Sequence, residues 1–65
     1  MLMNLKVEMC RKKISAAQIS RHLRIDVKTM SKKVNEKTQF TRTEMYKIYE
    51  DFFPDTDFYD LFRSE

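Results

Sequence analysis

The chain has no glycine, one proline, one cysteine and one histidine in 65 residues. Each scarcity excludes something. Without glycine there is no glycine-rich loop to cradle a nucleotide phosphate, because such loops need backbone that meets the ligand with no Cβ in the way. A lone cysteine, Cys10, rules out an internal disulfide. One cysteine and one histidine also cannot build the usual four-ligand zinc site. This cysteine usage fits a reducing cytoplasm. No apolar run approaches the roughly 18 residues of a membrane-crossing helix. Charges interrupt the apolar positions near the start, so no secretory leader is expected. The chain is expected to form one domain over 1–65. A domain this small buries little of its surface, so it depends on a well-filled core or a partner.

What is present is charge, unevenly placed. The formal net charge is +3. Residues 1–42 hold eleven Lys or Arg against three acidic residues, a balance of +8; residues 43–65 hold two against seven, a balance of −5. Such an asymmetry implies two faces with different work. The basic part attracts polyanions.

The pattern is helical throughout. Alternation of β-branched residues is absent and apolar residues recur at spacings of three and four, which predicts an all-α fold of four to five short helices. One start signal occurs three times. Ser15 with Gln18 makes a capping box, flanked by Ile14 and Ile19 as a hydrophobic staple. Asp26 caps the next segment between Ile25 and Met30, and Thr41 with Glu44 repeats the box between Phe40 and Met45. Each cap is worth about 1 kcal/mol. The predicted helices are Asn4–Lys12, Ala16–Leu23, Val27 to about Glu36, and Arg42 to Phe52 or Phe53. Pro54 stops the fourth, and Asp55 or Thr56 caps a last short helix through Phe62.

Only Arg24 and Ile25 separate the end of the second helix from the cap of the third. Two helices joined so tightly, with an apolar residue tucked into the turn, predict a helix-turn-helix. Met30 and Val34 then pack inward. At the helix's roughly 100° per residue, Lys28, Lys32 and Asn35 fall about 140–200° from Met30, with Ser31 beside them. Val27 to Asn35 contains no acidic residue. Solvated helix faces usually mix signs, so this face is predicted to read DNA.

The stretch "ISAAQISRHLRIDVKTMSKKVNEKTQFTRTEM" resembles the helix-turn-helix of the lambda-type phage repressor and Cro proteins. Ile14, Ser15, Ile19, Leu23, Ile25, Thr29, Met30, Ser31, Val34, Asn35 and Lys37 match that family's pattern or substitute conservatively. "LKVEMCRKK" fits its first helix and "FTRTEMYKIYEDFF" its fourth, so the resemblance covers about fifty of the 65 residues. The chain departs from the pattern at Arg24, where the family has its turn glycine, and at Ser20, where it has alanine. It also has Ala16 for the glutamine that opens the second helix, and Glu36 for the glycine of an Asn-Gly-Lys sequence. The resemblance implies that the third helix enters the major groove. Val27 would meet a thymine methyl, and Lys28, Ser31 and Lys32 would face base edges. Asn35, Lys37, Arg42 and the amides near Ser15 would hold phosphates, with Arg21 and Arg24 adding general attraction.

Nothing else in the chain suggests chemistry. His22 has no carboxylate or cysteine near it in sequence and is expected on the surface. Cys10 is expected to be an ordinary thiol. "DTDFYD" is faintly like a calcium loop but lacks the turn glycine and the closing glutamate. No enzyme activity, cofactor or metal is expected. The region 52–62 carries Phe52, Phe53, Phe58, Tyr59, Leu61 and Phe62 among aspartates. It closes the core or forms an interface. Leu61 and Phe58 are placed inward, and Tyr59 and Phe62 together outward near a dimer axis. The expected function is a small Cro-like repressor, acting as a homodimer on double-stranded DNA. The rival is a module that binds a protein partner through the aromatic, acidic end.

Overall fold

Two capping boxes set the register. The Gln18 amide donates to Ser15 Oγ at 3.1 Å while the Gln18 side chain accepts from the Ser15 amide at 2.7 Å. The Glu44 amide donates to Thr41 Oγ1 at 3.2 Å, and Glu44 Oε1 accepts from the Thr41 amide at 2.9 Å. The computed structural model describes residues 1–64, and among them it contains five helices and no strand. They are α1 (Met3–Lys12), α2 (Ala16–Leu23), α3 (Val27–Val34), α4 (Arg42–Phe52) and α5 (Phe58–Leu61). The chain is therefore all-α. The second and fourth helices begin and end at the predicted residues, and the first begins one residue early.

Three expectations need correcting. Asp26 occupies the N-cap of α3 with extended backbone, but its carboxylate makes no capping bond. The residue three further on is Thr29, too short to reach back and close a box as Gln18 and Glu44 do. The third helix stops at Val34, because Glu36 takes a left-handed φ of 63°. The Lys37 amide folds back to the Lys32 carbonyl at 2.9 Å. The last helix is capped by Asp57, whose carboxylate accepts from the Asp60 amide at 3.1 Å. Asp55 is engaged elsewhere, in an ion pair with Lys12.

Every element contributes to one core. Leu5, Ile19, Met30, Ile48 and Leu61 come from α1 to α5 in turn, and Phe53 from the cap of α4; all six are fully buried. Buried Ser20 lies in α2, and its hydroxyl donates to the Ala17 carbonyl at 2.9 Å. A small side chain there lets α2 approach its neighbours without leaving a buried polar group unpaired. Helices α2 and α3 make the most extensive helix pair. The start of the chain is stitched to the end of α3 by the Leu2 amide, which donates to the Val34 carbonyl at 2.8 Å. On the other side of α1, Asn4 Nδ2 donates to the Asp60 carbonyl of α5 at 2.8 Å.

Candidate nucleic-acid interface

The turn between α2 and α3 comprises Arg24, Ile25 and Asp26. Arg24 has φ 60° and ψ 43°, so it adopts the left-handed conformation for which glycine is the usual residue. This reverses the chain direction at once. The Arg24 amide donates to the Arg21 carbonyl at 3.2 Å and the Ile25 amide to the Ser20 carbonyl at 2.9 Å, which satisfies the end of α2. Ile25 is half-buried against the core. Its burial pulls the turn inward and aims α3 across α2.

With Met30 and Val34 buried, the opposite side of α3 is presented to solvent. Lys28, Ser31 and Lys32 are exposed there, and Val27 at its start is 51% exposed. Asn35 caps the helix and stays exposed, with Nδ2 3.5 Å from Ser31 Oγ. Lys37 is exposed just beyond the helix end. These residues therefore form one continuous surface. Arg24 sits in the turn beside it. Ser15 caps α2; its hydroxyl oxygen accepts from the Gln18 amide and keeps its own proton to donate, while the Ser15 amide is taken by Gln18 Oε1.

Arg42 is exposed at the start of the fourth helix, where the sequence predicts it. It shares a groove with Met45, Tyr46, Phe58, Tyr59 and Phe62. Its cation therefore stands where the basic part meets the aromatic end.

The third lysine of the helix has different work. Lys33 is largely enclosed, with its side chain 12% exposed, and its Nζ donates to Glu44 Oε1 at 2.8 Å and to the Gln39 carbonyl at 3.2 Å. It also lies 5.7 Å from the Phe40 ring centroid. It ties α3 to the loop and to α4. Burial pushes the Glu44 carboxyl up, but the bonds from Lys33 and from the Thr41 amide outweigh it and hold Glu44 below its ordinary value.

Ion pairing divides the remaining cations. Arg11 pairs with Glu8, Lys12 with Asp55 and Arg63 with Asp60. Lys28, Lys32, Lys37, Arg21, Arg24 and Arg42 have no carboxylate partner among the described residues. An unpaired, solvated cation is free to meet an incoming anion without first giving up a partner. Glu36, which follows α3, is bound by the chain's first ammonium at 2.6 Å and by the Ser64 hydroxyl at 2.9 Å. Those contacts hold its carboxyl below the ordinary value. Its negative charge is thus partly neutralised beside the exposed lysines.

The partner of His22 was invisible in the sequence, since Asp51 lies 29 residues away on α4. The ring also meets Phe52 edge-on, with centroids 5.2 Å apart. At the other end the structure separates Tyr59 from Phe62. Tyr59 is 81% exposed, whereas Phe62 is half-buried and packs edge-to-face on Phe40 at 6.0 Å. Phe62 falls on the cap of α5, past the last helical turn, and so drops toward the α3–α4 loop. Phe58 is also half-buried, and Leu61 fully. Sequence reasoning missed Tyr46, which stacks on Phe58 at 4.9 Å and is 47% exposed. Its spacing of four from Arg42 on α4 was the available signal.

No family model matches the chain, and no curated protein or solved structure shows significant similarity to it. Among the described residues, no helix is long and apolar enough to cross a membrane.

Proposed function

We propose that this protein is a sequence-specific DNA-binding transcriptional regulator, a small Cro-like repressor that occupies a near-palindromic operator as a homodimer. α3 is the reading helix. Lys28 and Lys32 donate to guanine O6 and N7, Val27 meets a thymine methyl, and Ser31 contributes a hydroxyl at base edges. Asn35, Lys37, Arg24 and the amides near Ser15 hold phosphates, and Arg42 adds charge at the edge of that surface. On this reading the protein works in the cytoplasm of a bacterial cell, at the nucleoid.

The observation that carries the reading is the outer face of α3. Its unpaired lysines project from a helix whose opposite side is locked into the core by Met30 and Val34. A rigid helix with a one-sign outer face is what groove reading requires. Selection of bound sites from random duplex DNA tests it. The expected result is a two-fold symmetric motif bound with a steep salt dependence. Recovery of no enriched motif, with weak sequence-blind binding, would overturn it.

A second reading draws on Tyr59 and Tyr46, both solvent-exposed beside the groove they line with Arg42, Met45, Phe58 and Phe62. The same fold would then serve as a protein-interaction module, such as an antirepressor. Binding to a protein through that end, insensitive to salt and lost on Tyr59→Ala, would favour it.

A further inference from the structure

A cleft lies between the start of α2, the middle of α1 and the outer edge of α3. Its apolar floor is Met9, Ala16 and Val34, and its rim is Lys6, Ser31 and Asn35. Ser31 and Asn35 also belong to the outward surface of α3, so cleft and reading face are continuous. Lys6 is exposed and has no carboxylate partner among the described residues.

The two long edges of α1 are unlike. One edge is committed to the acidic end: Asn4 bonds the Asp60 carbonyl, and Lys12 pairs with Asp55. Lys12 also lies 5.5 Å from the Phe53 ring centroid. The other edge turns toward α3 and leaves Lys6 unneutralised there. Nothing in the packing of the fold uses that charge.

We infer that Lys6 and this cleft receive the sugar-phosphate backbone of one DNA strand, alongside the groove that α3 enters. The inference rests on the duplex-binding reading above. A helix in the major groove brings a groove wall against whatever flanks that helix. Here the flank offers an apolar floor for the C–H face of a deoxyribose and a cation at its rim for the adjoining phosphate. Ala16 presents only a methyl group, which keeps the floor open. Lys6 is therefore a positioning residue: it fixes how far α3 lies in the groove and reads no base itself.

The test uses the full chain and a duplex from the site selection, with single phosphates neutralised one at a time as methylphosphonates. Wild type should lose affinity at one particular phosphate per half-site that Lys6→Ala no longer senses. Lys6→Ala should weaken binding by roughly two- to fivefold on every operator variant, as for one exposed ionic contact. It should also lower the salt slope by about one unit. Lys6→Arg should restore binding, and Lys47→Ala, an exposed cation on α4, should bind as wild type does. Unchanged thermal melting would separate these effects from folding. If wild type binds but Lys6→Ala keeps its full phosphate sensitivity and salt slope, the inference falls alone. If wild type does not bind duplex, the DNA reading falls and takes it along.

Discussion

At Lys13, Arg24 and Glu36 the backbone turns through φ of 56°, 60° and 63°. Each position ends a helix, and each would ordinarily be taken by glycine, which this chain lacks. A Cβ in that region costs about 1 kcal/mol. Arg24→Gly relieves that cost but loosens the unfolded chain, and the two effects oppose each other. The net should be a gain of a few tenths to about 1 kcal/mol, read as a higher urea midpoint at unchanged slope. A lower midpoint would mean that the Arg24 side chain stabilises the fold by itself. The exposed lysines separate in the same residue-by-residue way. Lys32→Ala should cost about 1–3 kcal/mol of discrimination at one base position. Lys37→Ala should weaken all sequences alike and flatten the salt slope by about one unit. Titrations against a panel of single-base operator variants check both. Identical losses across the panel would sink the division between base reader and phosphate holder.

Between elements, the decisive contact is the Lys33–Glu44 pair, which joins α3 to α4 across the loop. Glutamine at position 44 keeps the capping box, since its carbonyl still accepts from the Thr41 amide, but it leaves Lys33 unpaired. Glu44→Gln should cost about 1–2 kcal/mol, between the values for exposed and fully buried pairs. The loss should also depend on pH. The Glu44 carboxyl titrates below its ordinary value of 4.5 in the folded protein. A depressed carboxyl contributes stability that is complete above the unfolded pKa and disappears as pH falls through the folded one. Thermal melts at neutral pH should therefore separate wild type from variant, and the gap should close as pH drops below 4.5. A gap that stayed constant into strong acid would show that the pair adds no charge-dependent stability.

For the whole molecule, the charge asymmetry becomes an orientation. Under the proposed function the basic surface and α3 would face the duplex, while the acidic residues of the last third lie with the aromatics of that end. A single short reading helix contacts few bases, and two-fold symmetry is the usual way to multiply that discrimination, with half-sites roughly 34 Å apart. The proposed dimer contact is the aromatic end. Tyr59 and Phe62 test different things there, because only Tyr59 is free of the core. Tyr59→Ala should weaken self-association and, with it, operator affinity, at an unchanged melting temperature. Phe62→Ala should lower the melting temperature as well, since it removes packing on Phe40 and Phe58. Sedimentation with and without operator duplex measures the association. A wild-type monomer that saturates its site alone would exclude the dimer and favour a different protein on that face.

Helix positions were legible in the sequence because caps, staples and the proline stop are local: they act within a few residues of the helix end they define. Ser15–Gln18 and Thr41–Glu44 could be read from spacing, and the left-handed turn at Arg24 from the resemblance, whose pattern has glycine there. So could the inward side of α3, since a helix with Met30 and Val34 four apart has one way to bury both. Contacts between distant segments were not legible. Whether Lys33 stood in solvent or met Glu44, whether His22 had a partner, and whether Phe62 stood out with Tyr59 or folded down onto Phe40 depended on how whole helices meet. So did the cleft that places Lys6 next to Ser31 and Asn35. Those outcomes belong to the tertiary structure, because a side chain's charge and shape are set by its own residue, but its partner is set by which surfaces the shared core brings together.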